Sequence, residues 1–242
     1  MVLRKLSCLL IIAVFFVSQS KAGHVQPLKL NFASIAKLGE QEVASIVLPQ
    51  IYQQIQQPIS ITPLPANRAQ HEANRGIKDG EILRIYSYGE ETPNVIRVPT
   101  PYYYFTTAAF SRKNTSITIN RPADLAHYRI GVVRGVKHTE NATKKLSNVS
   151  LSNSTRELFH QLSIGNIDIA LTSFQDGQFL IKQLGNDKFK VVHPALVYES
   201  LFHYLNKKHE KLVTPINQVI KRLKATGELE KMLIQAQQQV YR

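Results

Sequence analysis

One stretch, Val95 to Arg112 (VIRVPTPYYYFTTAAFSR), constrains the fold more than any other. Pro99 and Pro101 fix their own φ and push Val98 and Thr100 into extended geometry, so the run-in is stiff. After Pro101 the aromatic and Thr side chains suit a pleated, half-buried surface, which predicts a strand. A plain amphipathic core strand alternates polar with apolar, and Tyr102-Tyr103-Tyr104-Phe105 does not. The stretch also lies between two segments that each read as an α/β unit. We therefore read it as a crossover between two lobes with its aromatics on a ligand cleft, since ligand sites favour aromatic linings between domains. An ordinary core strand is the competing reading.

The first residues, MVLRKLSCLLIIAVFFVSQSKA, predict an export segment. Arg4 and Lys5 form a positive n-region, Leu6 to Val17 an apolar h-region, and Ser20-Lys21-Ala22 a small-residue cleavage site, placing cleavage after Ala22. The apolar run is shorter than the roughly 20 residues of a spanning helix. From Gly23 on there is no cysteine, so stability must come from a core rather than from disulfides. This fits a periplasmic protein. The formal charge of the whole chain is +13, and removing Arg4, Lys5 and Lys21 leaves +10. That balance favours an anionic ligand or surface. The basic residues are scattered and form no nucleic-acid module, so nucleic acid is not an expected partner.

Along the chain, Leu28 to Ile35 alternates as a strand, and Glu40 to Ile55 carries Val43, Val47, Ile51 and Ile55 at helical spacing. Pro49 is expected to kink that helix or shorten its start. Ile59 to Ile61 and Ile82 to Tyr86 read as strands, and Gly89 to Asn94 as a loop. After the crossover, Arg129 to Val133 reads as a strand and Thr139 as the cap of a helix to Leu146. Ser154 and Glu157 form a capping box before a helix, and Ile167 to Leu171 is a strand. Phe174 to Leu184 is a helix stopped by Gly185, and Lys190 to His193 a strand ended by Pro194. Leu201 to Leu205 is a strand, and two apolar helical stripes split by Gly227 follow, suited to a return to the first lobe.

No nucleophile elbow, P-loop, Rossmann glycine fingerprint or zincin motif is present, so no cofactor and no catalytic residues are assigned. The eight histidines are dispersed and predict no metal site. Arg134-Gly135 closes a strand just before a helix. Backbone N–H groups there, with Arg134 and Lys137, would form an anion-binding corner, against a reading as a turn with solvated charges.

From Gly23 on the chain resembles the family-3 bacterial solute-binding proteins, the type that serves polar-amino-acid ABC transporters. Four patterns in order carry the likeness: Pro65-Ala66-Asn67-Arg68-Ala69 with Gly76 and Asp79-Gly80; Arg97-Val98-Pro99 into Pro101-Tyr102-Tyr103; Asp124-Leu125 with Arg129 to Gly135; and Leu158-Phe159 and Leu162 with Gly165, Ile167 and Asp168. The resemblance implies an α/β, two-lobe periplasmic-binding-protein-like fold of type II. Two crossover strands form its hinge, and a ligand cleft lies between the lobes. The expected layout is a signal peptide over 1–22, lobe one over 23–101 plus 202–242, lobe two over 108–196, and hinges at 102–107 and 197–201. Family members bind an amino acid with an Arg before the crossover, a Thr or Ser after the lobe-two glycine, and an Asp after a later lobe-two strand. Here those places read Gly89 to Asn94 without Arg, Val136, and Ser173 with Asp176 three residues on. An α-amino acid needs both charges paired, so these departures argue against a standard amino-acid ligand.

The expected function is therefore capture of a small polar, anionic solute by lobe closure, by a monomer that serves a membrane permease or receptor. The expected ligand contacts are Tyr102, Tyr103 and Tyr104, Arg134, and Ser173 or Asp176. An enzyme on the same fold, similar to periplasmic dehydratases, would need Glu90, Glu91 or Asp176 in the cleft as acid or base. A sensory ligand-binding role is the other alternative.

Overall fold

A computed structural model describes residues 28–185 and 187–242. The export segment expected over 1–22 lies outside the described residues. The described residues begin with a βαβ unit: β1 (Leu30–Ile35), α1 (Gly39–Gln53) and β2 (Ile59–Leu64). Val43, Val47 and Ile51, with Ala44, Leu48 and Tyr52 beside them, bury one face of α1. Pro49 sits inside this helix, which runs unbroken from Gly39, so its start is not shortened. Strand β2 takes Pro63 because among the described residues it is the sheet's edge, with a partner strand on one side only. Then come α2 (Ala66–Asn74), β3 (Gly80–Ile85), the single turn α3 (Tyr88–Glu91) within the expected loop, and β4 (Val95–Arg97).

The crossover is β5 (Tyr103–Arg112). The second half follows as β6 (Ile130–Val133), α4 (Lys137–Thr143), β7 (Val149–Ser152), α5 (Thr155–Ser163), β8 (Ile169–Ser173) and α6 (Phe174–Leu184). A long return strand, β9 (Phe189–Asn206), carries the chain back, and α7 (Val213–Ala225) and α8 (Glu228–Val240) pack against α1.

The strands form one curled sheet in the order β2-β1-β3-β9-β5-β8-β6-β7, with β4 also on β9. The antiparallel pair β5 and β9 is shared by both halves; the parallel strands β1, β2 and β3 lie on one side, and β6, β7 and β8 on the other. The result is two α/β lobes joined by two crossover strands. Pro194 does not end its strand. The β5–β9 register shifts between Thr107 and Ala109, opposite the residues that follow His193, and such a bulge has no ladder bond for proline to lose.

One core packs α1, α7 and α8 on the first-lobe strands, through Phe32, Tyr52, Ile82, Ile220 and Leu233. A second joins the lobes: Ile35, Leu38 and Ala66 meet Phe110, Val133, Val136 and Leu180. Strand ends and helix starts of both lobes therefore face each other across a closed gap.

Candidate functional site

Strand β8 ends at Ser173, whose hydroxyl accepts from the Asp176 N–H (3.3 Å) and so caps α6. This cap holds the Asp176 carboxylate toward lobe one. There it accepts from the Gly39 N–H (3.1 and 3.2 Å to its two oxygens) and from the Tyr241 hydroxyl (2.9 Å). Glu40, in the first turn of α1, lies beside it and accepts from the Ser173 hydroxyl (3.4 Å). Both carboxyls are about 5% exposed. Burial, then the neighbouring Asp176 charge, pushes the Glu40 carboxyl well above the carboxylate range. Burial also raises Asp176, opposed by its hydrogen bonds to Glu40, Tyr241 and Gly39. One proton shared by the two carboxyls satisfies this arrangement.

The second meeting point is the turn between β6 and α4. Gly135 stands at φ 75°, where a side chain would be strained and would run into Asn67 and Ala66 of lobe one. Its N–H donates to Glu140 (2.6 Å), and Lys137 pairs with Glu91 across the gap (2.6 Å) and more loosely with Glu140 (3.6 Å). The expected anion corner is thus filled by the chain's own carboxylates. Arg134 itself is exposed, and among the described residues only its backbone, on the Ser152 carbonyl, is tied down. From β3, the buried Arg84 is gripped by Glu81 (2.6 and 3.1 Å) and donates to the carbonyls of Ala66 (3.0 Å) and, in lobe two, Gly135 (3.4 Å).

The three tyrosines take different surroundings: Tyr103 and Tyr104 point to opposite faces of β5, and Tyr102 precedes the strand. Tyr102 is fully buried in the first-lobe core with its hydroxyl on the Ile82 carbonyl (2.7 Å), away from the gap. Tyr104 stacks on Tyr198 (5.8 Å) and meets Lys224 (2.6 Å) on an outer face. Tyr103 is buried beside Glu40, Asp176 and Tyr241, and its hydroxyl accepts from Gln237 (3.3 Å). Burial holds this phenol well above its ordinary value. Of the six expected contacts the structure brings together Tyr103, Ser173 and Asp176, and sets Tyr102, Tyr104 and Arg134 apart from them. Among the carboxylates weighed for catalysis, Glu90 is exposed, Glu91 is bound to Lys137, and Asp176 is enclosed.

Next to the Glu40–Asp176 pair a cavity of about 380 Å³ opens between the lobes. Lys37 and Glu42 line it from lobe one, Arg156, Asp176 and Phe179 from lobe two, and Tyr241 from the C-terminus. Arg156 donates to Gln183 (2.9 Å), and neither Arg156 nor Lys37 has a carboxylate in ion-pair range among the described residues. The Thr155 hydroxyl, buried at the start of α5 in the wall of this cavity, has no hydrogen-bond partner among the described residues. Among the described residues no three His, Cys, Asp or Glu side chains converge as metal ligands, and no helix is long and apolar enough to cross a membrane.

Sequence reasoning missed Glu40, Arg84, Arg156 and Tyr241. Ser173-x-x-Asp176 carried a usable signal, since Ser followed by an acid at that spacing is a helix start. Arg84 carried the opposite of one: a lone Arg between Leu83 and Ile85 looks like a surface charge.

No family model matches the chain. It is 29% identical over 199 residues to an uncharacterized protein of Shewanella oneidensis, covering 80% of this chain and 75% of that one. Among solved structures, it is similar to an ancestral arginine-binding protein bound to arginine, with TM-score 0.71, 19% identity, and 84% and 96% of the two chains covered. It is equally close in shape to a histidine kinase sensor domain with similarity to periplasmic binding proteins, with TM-score 0.73, 14% identity, and 86% and 95% covered. The chain has the fold of the periplasmic binding proteins. A further similar structure, the substrate-binding protein of an amino acid ABC transporter from Streptococcus pneumoniae bound to L-arginine, has TM-score 0.69 at 18% identity, with 88% and 96% of the chains covered. The cavity beside Asp176 lies between α1 of one lobe and α5 and α6 of the other.

Proposed function

We propose that the protein captures a small polar, anionic solute between its lobes and delivers it to a membrane partner, a permease of the ABC-transporter type. The observation that carries this reading is the interlobe cavity with Lys37 and Arg156 on opposite lobes and the unpartnered Thr155 hydroxyl in its wall. A solute that bridges two cations on separate lobes rewards closure, which is the differential affinity a two-state protein needs. The solved neighbours of this fold bind arginine or glutamine, or serve as a sensor domain. Their likeness supports solute binding by lobe closure and leaves the solute's charge to this chain's own residues.

The reading includes an exported monomer, with residues 1–22 removed and periplasmic location. Lobe one spans 23–101 plus 202–242 and lobe two 108–196, hinged at 102–107 and 197–201. It includes no catalytic step: Glu40 and Asp176 are committed to each other and to lobe contacts, and neither is free to act as a base on a solute. Of the contacts expected from the sequence, Asp176 lines the cavity, with Lys37, Arg156 and Tyr241 added; Tyr103 and Ser173 are buried behind it.

The test is native mass spectrometry of the protein from its own periplasmic fraction, followed by calorimetry with the solute identified. Arg156→Ala and Lys37→Ala are each expected to weaken an anionic solute by about 1.5–3 kcal/mol, the scale of a hydrogen bond to a charged group. Equal affinity for wild type and both variants, or a solute without negative charge, overturns the anionic reading.

A further inference from the structure

We propose that the carboxyl groups of Glu40 and Asp176 form a proton-dependent clasp that holds the two lobes together whichever solute the cleft takes. The inference goes beyond the solute reading and does not need it.

The geometry carries it. Asp176 belongs to lobe two, yet three of its partners come from lobe one: the Gly39 N–H, the Tyr241 hydroxyl and the Glu40 side chain. Tyr241 adds its ring, which packs edge-on against Phe179 of lobe two (5.5 Å). The titratable and charged groups around the pair can be named element by element. From α1 come Glu40 and Glu42; from the loop before it, Lys37; from β5, Tyr103; from the end of α8, Tyr241; from α5, Arg156. No lysine or arginine among the described residues lies in ion-pair range of either carboxyl. Two carboxylates enclosed together without a cation repel, and each also loses its hydration. One proton between them turns that repulsion into a donor–acceptor pair. When the lobes part, both groups regain water and release the proton at ordinary carboxylate values. The closed form therefore binds one more proton than the open form, and closure weakens as pH rises from the ordinary Glu value of 4.5 through the raised value of the closed form.

The sequence has a single cysteine, Cys8, which is replaced by Ser, and the exposed Gln53 on α1 and His160 on α5 are changed to Cys for spin labels. The full chain is freed of solute by unfolding and refolding, and the interlabel distance is measured by double electron–electron resonance at about pH 5 and about pH 8. One-proton linkage predicts a closed-to-open ratio that falls up to about tenfold per pH unit within the window. Glu40→Gln, whose amide stands in for the protonated acid, is expected to stay closed at both pH values and to lose the pH response. An unchanged wild-type distribution at the two pH values overturns the clasp, as does a Glu40→Gln protein that keeps the wild-type response. Failure to find any solute leaves both measurements intact, so the two readings fail separately.

Discussion

His203 shows how a buried polar side chain is made tolerable by fixing one tautomer. Its Nδ1 faces the Glu81 carbonyl (2.9 Å), which can only accept, so Nδ1 carries the proton and Nε2 accepts from the Tyr52 hydroxyl (2.7 Å). Burial lowers its pKa to about 4, and that of His138, held against Thr107, to about 3. In the unfolded chain both take a proton near 6.5. Their contribution is complete above that value and is lost as pH falls toward the folded values. The melting temperature should therefore drop between about pH 7 and about pH 4.5, and His203→Gln should flatten that slope. This runs opposite in sign to the Glu40–Asp176 clasp, which acid strengthens, so global melting cannot report the clasp and an interlobe distance can. Arg84 makes the companion case. Replacing it alone by Met strands Glu81 in the core and should cost about 3–5 kcal/mol in urea unfolding, whereas adding Glu81→Gln should recover part of the loss. A loss under 1 kcal/mol for the single variant, roughly a surface pair's worth, would refute the buried-pair account.

At the scale of elements, boundaries were legible where side-chain chemistry fixes them locally. Ser154 caps α5 as expected, its hydroxyl accepting from the Glu157 N–H (3.2 Å), while the Glu157 carboxylate reaches one residue further back than a capping box, to the Asn153 N–H (2.9 Å). The span Phe174–Leu184 and its stop at Gly185 match the sequence reading. Element ends decided by distant partners were not legible. Strand β9 runs through Pro194 because β5 lies alongside it. Helix α4 starts at Lys137 with Val136 at its N-cap, so Thr139 lies inside it and is not the cap, and it ends at Thr143 rather than Leu146. Gly177 inside α6 belongs to the same class. Helix propensity alone would favour Ala there by about 1 kcal/mol. A Cβ at this position would overlap the Phe110 ring of β5, so the helix sits closer to the sheet than any other residue allows. Gly177→Ala should lower stability by about 1–3 kcal/mol, an overpacking cost. Phe110→Leu in the same chain should give part of it back, and a Gly177→Ala protein as stable as wild type would show that α6 can shift freely.

At the scale of the molecule, the order of β/α segments around the aromatic crossover read as two lobes, and the second connecting strand came from the family resemblance. The site was only partly readable, because it is assembled from residues with no sequence relation. Gly39 meets Asp176 across 137 positions, and Tyr241 meets it across 65. Tyr103 could be placed at the crossover, but which neighbour of a tyrosine triplet faces the gap depends on strand register, and that is set by β9. The lobes meet on small residues, and this gives a way to separate the proposed closing from folding. Gly39 has nothing larger than hydrogen where the Asp176 carboxylate and the Tyr241 ring crowd its Cα. Its backbone is not in the left-handed region, so Ala there adds no backbone strain. Gly39→Ala should therefore act as a wedge: it pushes on the Asp176 carboxylate of lobe two and on the terminal Tyr241 ring of its own lobe, leaves the two lobe cores intact, and shifts the population toward the open form. Small-angle scattering should show a larger radius of gyration than wild type, while melting of the ligand-free protein should change little. Solute affinity should fall by the fraction of molecules still able to close, since apparent affinity scales with the competent population. If scattering is unchanged and the melting temperature falls by several degrees, the contact at Gly39 is part of the fold and not of a closure between two bodies.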